Sequence, residues 1–115
     1  MKDDFWDYLQ QLVDSSQIVI DRPRGCTHPR FPRKSYPVDY GYLKNTKSID
    51  SSGVDIWIGS LGGKKVVGVL CTVDLFKRDT ELKIIYDCSE YKIQALRSMV
   101  DFEQMRAISI MRSSE

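Results

Sequence analysis

The 115-residue sequence has few of the side chains that build zinc sites or disulfide frameworks. It contains one histidine, His28, and three cysteines, an odd number with no Cys-x-x-Cys pair. A closed zinc site takes about four ligands, mostly nitrogen or sulfur, and this set is too small for one. Disulfides are rare in reducing compartments. The cysteine pattern therefore predicts reduced thiols and a cytoplasmic location.

Long apolar runs and an excess of one charge are also absent. No run of about eighteen apolar residues occurs, so we expect no transmembrane helix. The N-terminus reads MKDDFWDY, which lacks the basic and apolar regions of a signal peptide. The formal net charge is +1, which favours neither nucleic acid nor a membrane. Length and an apolar content of 42% predict one globular domain, residues 1–115.

Periodicity predicts two helices and several short strands. Apolar residues recur at helical intervals over 3–14, and again over 93–100 after a helix start near Asp87. Strands are predicted in β-branched runs bounded by turn residues: 17–21, 54–58, 64–74 and 82–86. The segment 36–41 is turn-rich, and 105–111 fits a helix or a strand equally. These elements predict a mainly β (α+β) fold, either a small barrel or an α+β sheet, with flanking N-terminal and C-terminal helices.

The Gly62-Gly63 pair predicts how two of these strands are joined. Glycine tolerates the positive φ angles of a two-residue hairpin turn, so the strands on either side are expected to pair. In that register Asp74 lies beside Asp50. Asp55 faces the same side but lies about 13 Å further along the strand, at roughly 3.3 Å per residue. The hairpin therefore brings Asp50 and Asp74 together without Asp55.

Four aspartates stand where predicted strands end or turns begin: Asp50, Asp55, Asp74 and Asp79. Carboxylates that lie within a few ångströms repel one another, and a cation relieves the repulsion. Mg²⁺ binds a few carboxylates and keeps several waters for phosphate chemistry. The ion also lowers the pKa of bound water and neutralises charge on a transferring phosphoryl group. The pattern therefore predicts an Mg²⁺ site, with Mn²⁺ as a substitute, although aspartate is also an ordinary turn residue.

A basic, proline-containing loop and a tyrosine-rich segment separate the first two strands. The planar fork of arginine binds phosphate bidentately, and proline reduces the entropy lost when a loop grips a ligand. The tyrosine hydroxyls of YPVDYGY seek polar partners, although core packing suits one or two of the rings. Candidate substrate-binding residues are Arg22, Arg30, Arg33, Tyr36, Lys77 and Arg78. The alternative for the loop is an ordinary solvated charged surface.

The segment YPVDYGYLKNTKSIDSSGVDIW resembles the signature region of soluble family I inorganic pyrophosphatases. The likeness continues in GVLCTVDLFKRD and IVIDRP and covers roughly residues 17–84. The resemblance implies a small five-stranded OB-like barrel. The resemblance implies Mg²⁺-dependent hydrolysis of inorganic pyrophosphate, or a related phosphoanhydride, by metal-activated water, and a role in phosphate metabolism as a homo-oligomer. It implies catalytic roles for Asp50, Asp55, Asp74 and Tyr40. It implies metal binding by Asp21, Asp50, Asp55, Asp74 and Asp79.

Several positions depart from the family pattern, and two of them replace charged groups. Ser52 stands where the family has an aspartate associated with activating the nucleophile, and Glu81 stands where it has a phosphate-binding lysine. A positioned general base is typically worth about 10²–10⁴-fold. The alternative interpretation is therefore a catalytically weak or inactive barrel that binds phosphate ligands, a nucleotide or single-stranded nucleic acid. Aspartates at the same mouth repel a polyanion, so nucleic acid is not the expected partner.

Overall fold

The computed structural model describes residues 4–48 and 52–112. Within them, a mixed sheet of six strands is accompanied by two helices. Along the chain the elements are α1 (Asp4–Asp14), β1 (Ile18–Arg22), β2 (Asp39–Leu43), β3 (Val54–Ile58), β4 (Val66–Asp74), β5 (Asp79–Tyr86), α2 (Glu90–Val100) and β6 (Met105–Met111). The prediction of a mainly β, α+β fold with helices near both ends is confirmed.

The sheet differs from the expected five-stranded barrel in strand number and closure. Its order is β1-β2-β3-β5-β4-β6, so within the described residues β1 and β6 are edge strands that do not pair. All neighbours are antiparallel except β3 and β5, which are parallel. The tail 105–111 is the sixth strand. The turn-rich segment 36–41 enters a strand at Asp39, because pairing with β1 and β3 outweighs local turn preference.

The hairpin predicted at Gly62-Gly63 is wrong, because β5 lies between β3 and β4. The loop 59–65 instead folds around Asp87, whose carboxylate accepts hydrogen bonds of 3.1 and 2.8 Å from two backbone N–H groups of the loop. Positive φ angles fall at Gly62 (80°) and Lys64 (57°), whereas a two-residue turn of the predicted kind needs them at adjacent positions. The register that the hairpin implied for these strands is wrong as well.

Each face of the sheet packs against one helix. We call the face under α2 the inner face and the face under α1 the outer face. The inner core contains Trp57, Leu70, Ile85, Ile93, Leu96 and Ala107. The outer core contains Trp6, Val13, Leu43, Ile56, Val69 and Ile84. Successive strand residues reach opposite cores because side chains alternate across a strand, and polar residues occupy the inner face where α2 does not cover it.

The two helices begin and end where local chemistry allows. Ser89, rather than the predicted Asp87, caps α2, and its side chain accepts a hydrogen bond from the Lys92 N–H. Capping of this kind satisfies a backbone donor that has no partner within the helix. In α1, Asp4 and Asp7 occupy the first turn, where the helix dipole favours negative charge. In the part of the chain that the structure describes, neither helix is long and apolar enough to cross a membrane.

Candidate functional site

Polar side chains continue the inner face beyond the core. Along β5, Asp79, Glu81 and Lys83 occupy every second position and therefore share one face. Strand pairing sets Thr72 opposite Glu81 and Asp74 opposite Asp79, and residues directly opposite one another point to the same side. We call these five residues the polar strip. It runs from the β4–β5 turn towards the core under α2.

Lys83 lies at the buried end of the polar strip. Its Nζ donates hydrogen bonds of 2.7 Å to Tyr40 Oη and of 2.7 Å to Asp55 Oδ2. Glu81 Oε2 lies 3.7 Å from the same nitrogen. The Lys83 side chain is only 12% exposed, so the ammonium has exchanged most of its water for these oxygens. The strands β2, β3 and β5 are consecutive in the sheet. Three segments that are distant in sequence therefore supply Tyr40, Asp55 and Lys83.

Burial and charge set the protonation of this group. Burial raises the pKa of Tyr40 far above its ordinary value of 10.0, and the adjacent Lys83 offsets this only in part. Burial by itself lowers the pKa of Lys83, but the contacts with Tyr40 and Asp55 raise it above the ordinary 10.5. At neutral pH Tyr40 is therefore an uncharged hydroxyl and Lys83 is an ammonium. The buried end of the strip holds one fixed positive charge.

Asp74 lies at the opposite end of the strip and begins the β4–β5 turn. Its Oδ1 accepts hydrogen bonds from the backbone N–H groups of Phe76 (2.9 Å) and Lys77 (3.2 Å), the pattern of an Asx turn. The residue is 9% exposed. Oδ2 has no hydrogen-bond partner among the described residues and remains able to accept from a ligand. About 13 Å separates this end from Lys83, at roughly 3.3 Å per residue along β5.

A cavity of about 500 Å³ lies over the polar strip. Its second wall is formed by the basic loop and by the end of α2, where Phe31 packs edge-on against Phe102 with ring centres 4.9 Å apart. Lys34 Nζ lies 4.1 Å from the centre of the Phe102 ring. The residues predicted for the site that line this cavity are Arg30, Tyr36, Tyr40, Asp74 and Lys77. The cavity therefore joins the predicted basic and acidic groups.

His28 lies on the loop wall, where nearby cations affect its pKa. Burial lowers its pKa, and the nearby Arg22, Arg30 and Lys34 lower it further. The contribution of these three cations shows that the loop wall is basic around His28. The two walls are thus unlike in charge, since the loop wall is basic and the strip carries carboxylates around one ammonium. An anion bound together with a cation suits this arrangement, because the basic wall can bind the anion and the carboxylates can bind the cation.

Other predicted site residues lie outside the cavity wall. Asp55 reaches it through Lys83, and Arg22 packs with its guanidinium carbon 5.9 Å from the centre of the Tyr36 ring. Four more are exposed and do not line the cavity: Asp21, Arg33, Arg78 and Asp79. Asp50 lies outside the described residues. The structure therefore brings together about half of the predicted set.

The donor chemistry of the strip and the adjoining Asp55 suits a hard divalent cation, but these carboxylates are spread out. Asp55, Asp74, Asp79 and Glu81 supply oxygen, the donor that Mg²⁺ prefers. Within residues 4–48 and 52–112, no three Asp, Glu, His or Cys side chains come close enough to hold a metal ion. Asp74 lies at one end of the strip, whereas Asp55 contacts Lys83 at the other end and already has a cationic partner. Metal binding by the five predicted aspartates stays a prediction.

Sequence reasoning missed Lys83 and treated Glu81 only as a departure. Strand alternation could have found both, since DTELKI places Asp79, Glu81 and Lys83 on one face. The contact of Lys83 with Asp55 depends on the parallel pairing of β3 and β5. No local pattern encodes that pairing.

The fold is shared with solved inorganic pyrophosphatases. The enzyme from Helicobacter pylori matches 82% of this chain and 81% of its own chain, with a TM-score of 0.61 and 16% sequence identity. The enzyme from Thermus thermophilus matches 73% of this chain and 69% of its own, with a TM-score of 0.57 and 21% identity. The chain therefore has the fold of an inorganic pyrophosphatase.

Sequence comparison points the same way. The chain is 27% identical over 117 residues to the inorganic pyrophosphatase of Mycoplasma pneumoniae (strain ATCC 29342 / M129 / Subtype 1), an alignment that covers 90% of this chain. It spans 63% of the length of that relative. No protein-family profile matches the sequence. The resemblance to inorganic pyrophosphatases that the sequence motifs predicted is confirmed.

Proposed function

We propose that the protein hydrolyses inorganic pyrophosphate, or a related phosphoanhydride, to phosphate with Mg²⁺ or Mn²⁺ as cofactor. The observation that carries the proposal is the cavity, in which a basic wall faces a carboxylate strip on a fold shared with inorganic pyrophosphatases. Phosphate needs cationic and hydrogen-bonding partners, and the loop wall offers them. A hard cation needs oxygen ligands, and the strip offers those.

The residues divide into two proposed roles. Arg30 and Lys77 bind phosphate at the cavity mouth, while the Tyr40 hydroxyl and Tyr36 fix its orientation. The further phosphate-binding residues proposed from sequence are Arg22, Arg33 and Arg78. Divalent metal is proposed to bind at Asp55, Asp74 and Asp79, with Asp21 and Asp50 as the other candidates. When bound, the ion supplies an activated water and neutralises charge on the phosphoryl group.

A phosphate-binding protein with little or no turnover is the second candidate. The separation of Asp55 from Asp74 along the strip favours it, as does Ser52 at the position where the family has an aspartate. The rings of Phe31 and Phe102 at the cavity wall could pack against a nucleotide base. In this case pyrophosphate or a nucleotide would bind without being hydrolysed.

Phosphate release from pyrophosphate separates the two candidates. Wild type, Asp74→Asn and Asp14→Asn are compared with and without Mg²⁺. The asparagine at position 74 keeps an oxygen acceptor for the turn but loses the charge, whereas Asp14 lies at the end of α1 on the other face. We expect Mg²⁺-dependent release that falls at least about 100-fold only in Asp74→Asn. Pyrophosphate binding without release would favour the second candidate, and equal release by both variants would refute the proposed site.

The proposed location is the cytoplasm. Cys26, Cys71 and Cys88 are free thiols, which are typical of a reducing compartment. Small-molecule phosphate compounds are the proposed partners, and residues 1–115 are proposed to act as one domain.

We also propose a homo-oligomer formed through the outer face near β6. A groove of about 720 Å³ lies there, and Val73, Leu82 and Ile108 along it are 42%, 45% and 58% exposed. The groove adjoins β6, an edge strand in the described sheet. Unpaired edge groups beside an apolar surface provide a template for a second strand. An antiparallel contact between two copies of β6 would satisfy both edges about a twofold axis.

A further inference from the structure

Lys83 lies where a metal ion would have to approach Asp55. The distance between Lys83 Nζ and Asp55 Oδ2 is 2.7 Å, a full ion-pair contact. A magnesium ion binds a carboxylate oxygen at about 2.0–2.1 Å. An ion at that distance and an ammonium on the same oxygen would be close enough to repel one another strongly. The two cations therefore disfavour each other at this oxygen.

The surroundings make this repulsion effective. Lys83 and Asp55 are 12% and 26% exposed, so little water remains to screen their charges. The ammonium is held in place by Tyr40 Oη at 2.7 Å and has Glu81 Oε2 at 3.7 Å. Tyr40 belongs to β2 and Glu81 to β5 itself, so both contacts are fixed by one packed sheet. A surface lysine on a flexible side chain would not be positioned this firmly.

We propose that Lys83 competes with the divalent metal for Asp55 and so weakens metal binding at this end of the polar strip. The proposal rests on the proposed function, since it concerns the metal of that same site. Metal reaches Asp55 Oδ2 only when the ammonium leaves that oxygen. Lys83 also lines the cavity, so a bound phosphate offers the displaced ammonium a new partner. Lys83 is a positioning residue in this scheme, because it acts on the metal through Asp55.

Mn²⁺ binding without phosphate tests the competition, measured by the loss of the free Mn²⁺ electron spin resonance signal. Lys83→Met should bind Mn²⁺ at least about tenfold more tightly than wild type. Lys83→Arg keeps the charge and should bind like wild type. Lys44→Met removes an exposed charge elsewhere and should change the affinity less than about twofold.

A double variant separates competition from a general effect of charge. The gain from Lys83→Met should vanish when it is combined with Asp55→Asn, because the contested carboxylate is then gone. Lys83→Gln, which is neutral and still donates a hydrogen bond, serves if Lys83→Met does not fold. Unchanged affinity in the neutral variants, or a gain that persists with Asp55→Asn, would overturn the proposal. Failure to hydrolyse pyrophosphate, alongside the expected Mn²⁺ affinities, would count against the proposed function alone.

Discussion

Gly41 provides a sharp test of how the tyrosine segment is built. It lies in β2 between Tyr40 and Tyr42 and pairs with Ile20 of β1. A Cβ added at this position would lie 1.9 Å from the backbone oxygen of Val19 and 3.1 Å from the Ile20 Cα. Carbon and oxygen atoms approach to only about 3.3 Å even in favourable C–H···O contacts. Gly41→Ala therefore forces β1 to retreat by about 1.4 Å.

The cost of that movement can be worked out from its parts. Overpacking of this kind costs about 1–3 kcal/mol, and a weakened ladder hydrogen bond costs about 1 kcal/mol more. We expect Gly41→Ala to lower the free energy of unfolding by about 2–4 kcal/mol. For a domain of this size, a loss of 1 kcal/mol lowers Tm by about 4 °C. The expected fall in Tm is therefore about 8–16 °C.

Urea denaturation of Gly41→Ala and Gly63→Ala provides the measurement and its control. A Cβ at Gly63 would have no contact under 3.7 Å, and its φ angle is not positive. Alanine there should be neutral or stabilise by a few tenths of a kcal/mol, since it restricts the unfolded chain. A loss below about 1 kcal/mol for Gly41→Ala would refute the packing argument. A larger loss at Gly63 than at Gly41 would also contradict it.

Three further predictions concern other parts of the molecule. Cys88 should react with iodoacetamide more slowly than the other cysteines at about pH 8, because it is 3% exposed and burial raises its pKa to about 11. Equal labelling of the cysteines, measured by mass spectrometry, would contradict this. The free energy of unfolding should fall as pH rises above about 10, because the folded state holds the protons of Tyr40 and Lys83 more tightly than the unfolded state. The stability that these two groups contribute is complete below pH 10.0, the ordinary pKa of tyrosine, and is lost at higher pH. In urea titrations at several pH values, Tyr40→Phe should therefore lose stability less steeply than wild type. An identical decline in the two proteins would argue against this. Ile108→Glu should dissociate the proposed oligomer in sedimentation velocity runs, whereas Leu61→Glu in a loop should not; a wild-type monomer would end that proposal.

Local patterns predicted the local elements well. Apolar spacing over 3–14 matches α1 to within a residue, because one face of that helix is buried. The β-branched runs match β1, β3 and β4 closely. The sequence places the helix start near Asp87, because Asp87 and Glu90 three residues on have the spacing of a helix start. The structure uses that side chain to hold a loop, which no spacing rule could have shown.

Strand neighbours were less predictable, and the site depends on them. The glycine pair suggested that β3 and β4 are adjacent, since short connections usually join paired strands. The β5 strand lies between them instead, and it brings Lys83 to Asp55. The motif residues themselves were recognisable in the sequence. Their distances were not, because sheet order decides which side chains meet.

The parallel contact between β3 and β5 divides the sheet into two antiparallel halves of three strands each. Tyr40 and Asp55 come from the first half, while Lys83 and Asp74 come from the second. The buried ammonium therefore works as a reporter of docking between the halves, because neither half alone contains both of its partners and the lysine. Formation of the β3–β5 contact depends on residues that are distant in sequence, and such contacts form slowly. Ordering of the Lys83 contacts should thus coincide with docking of the two halves.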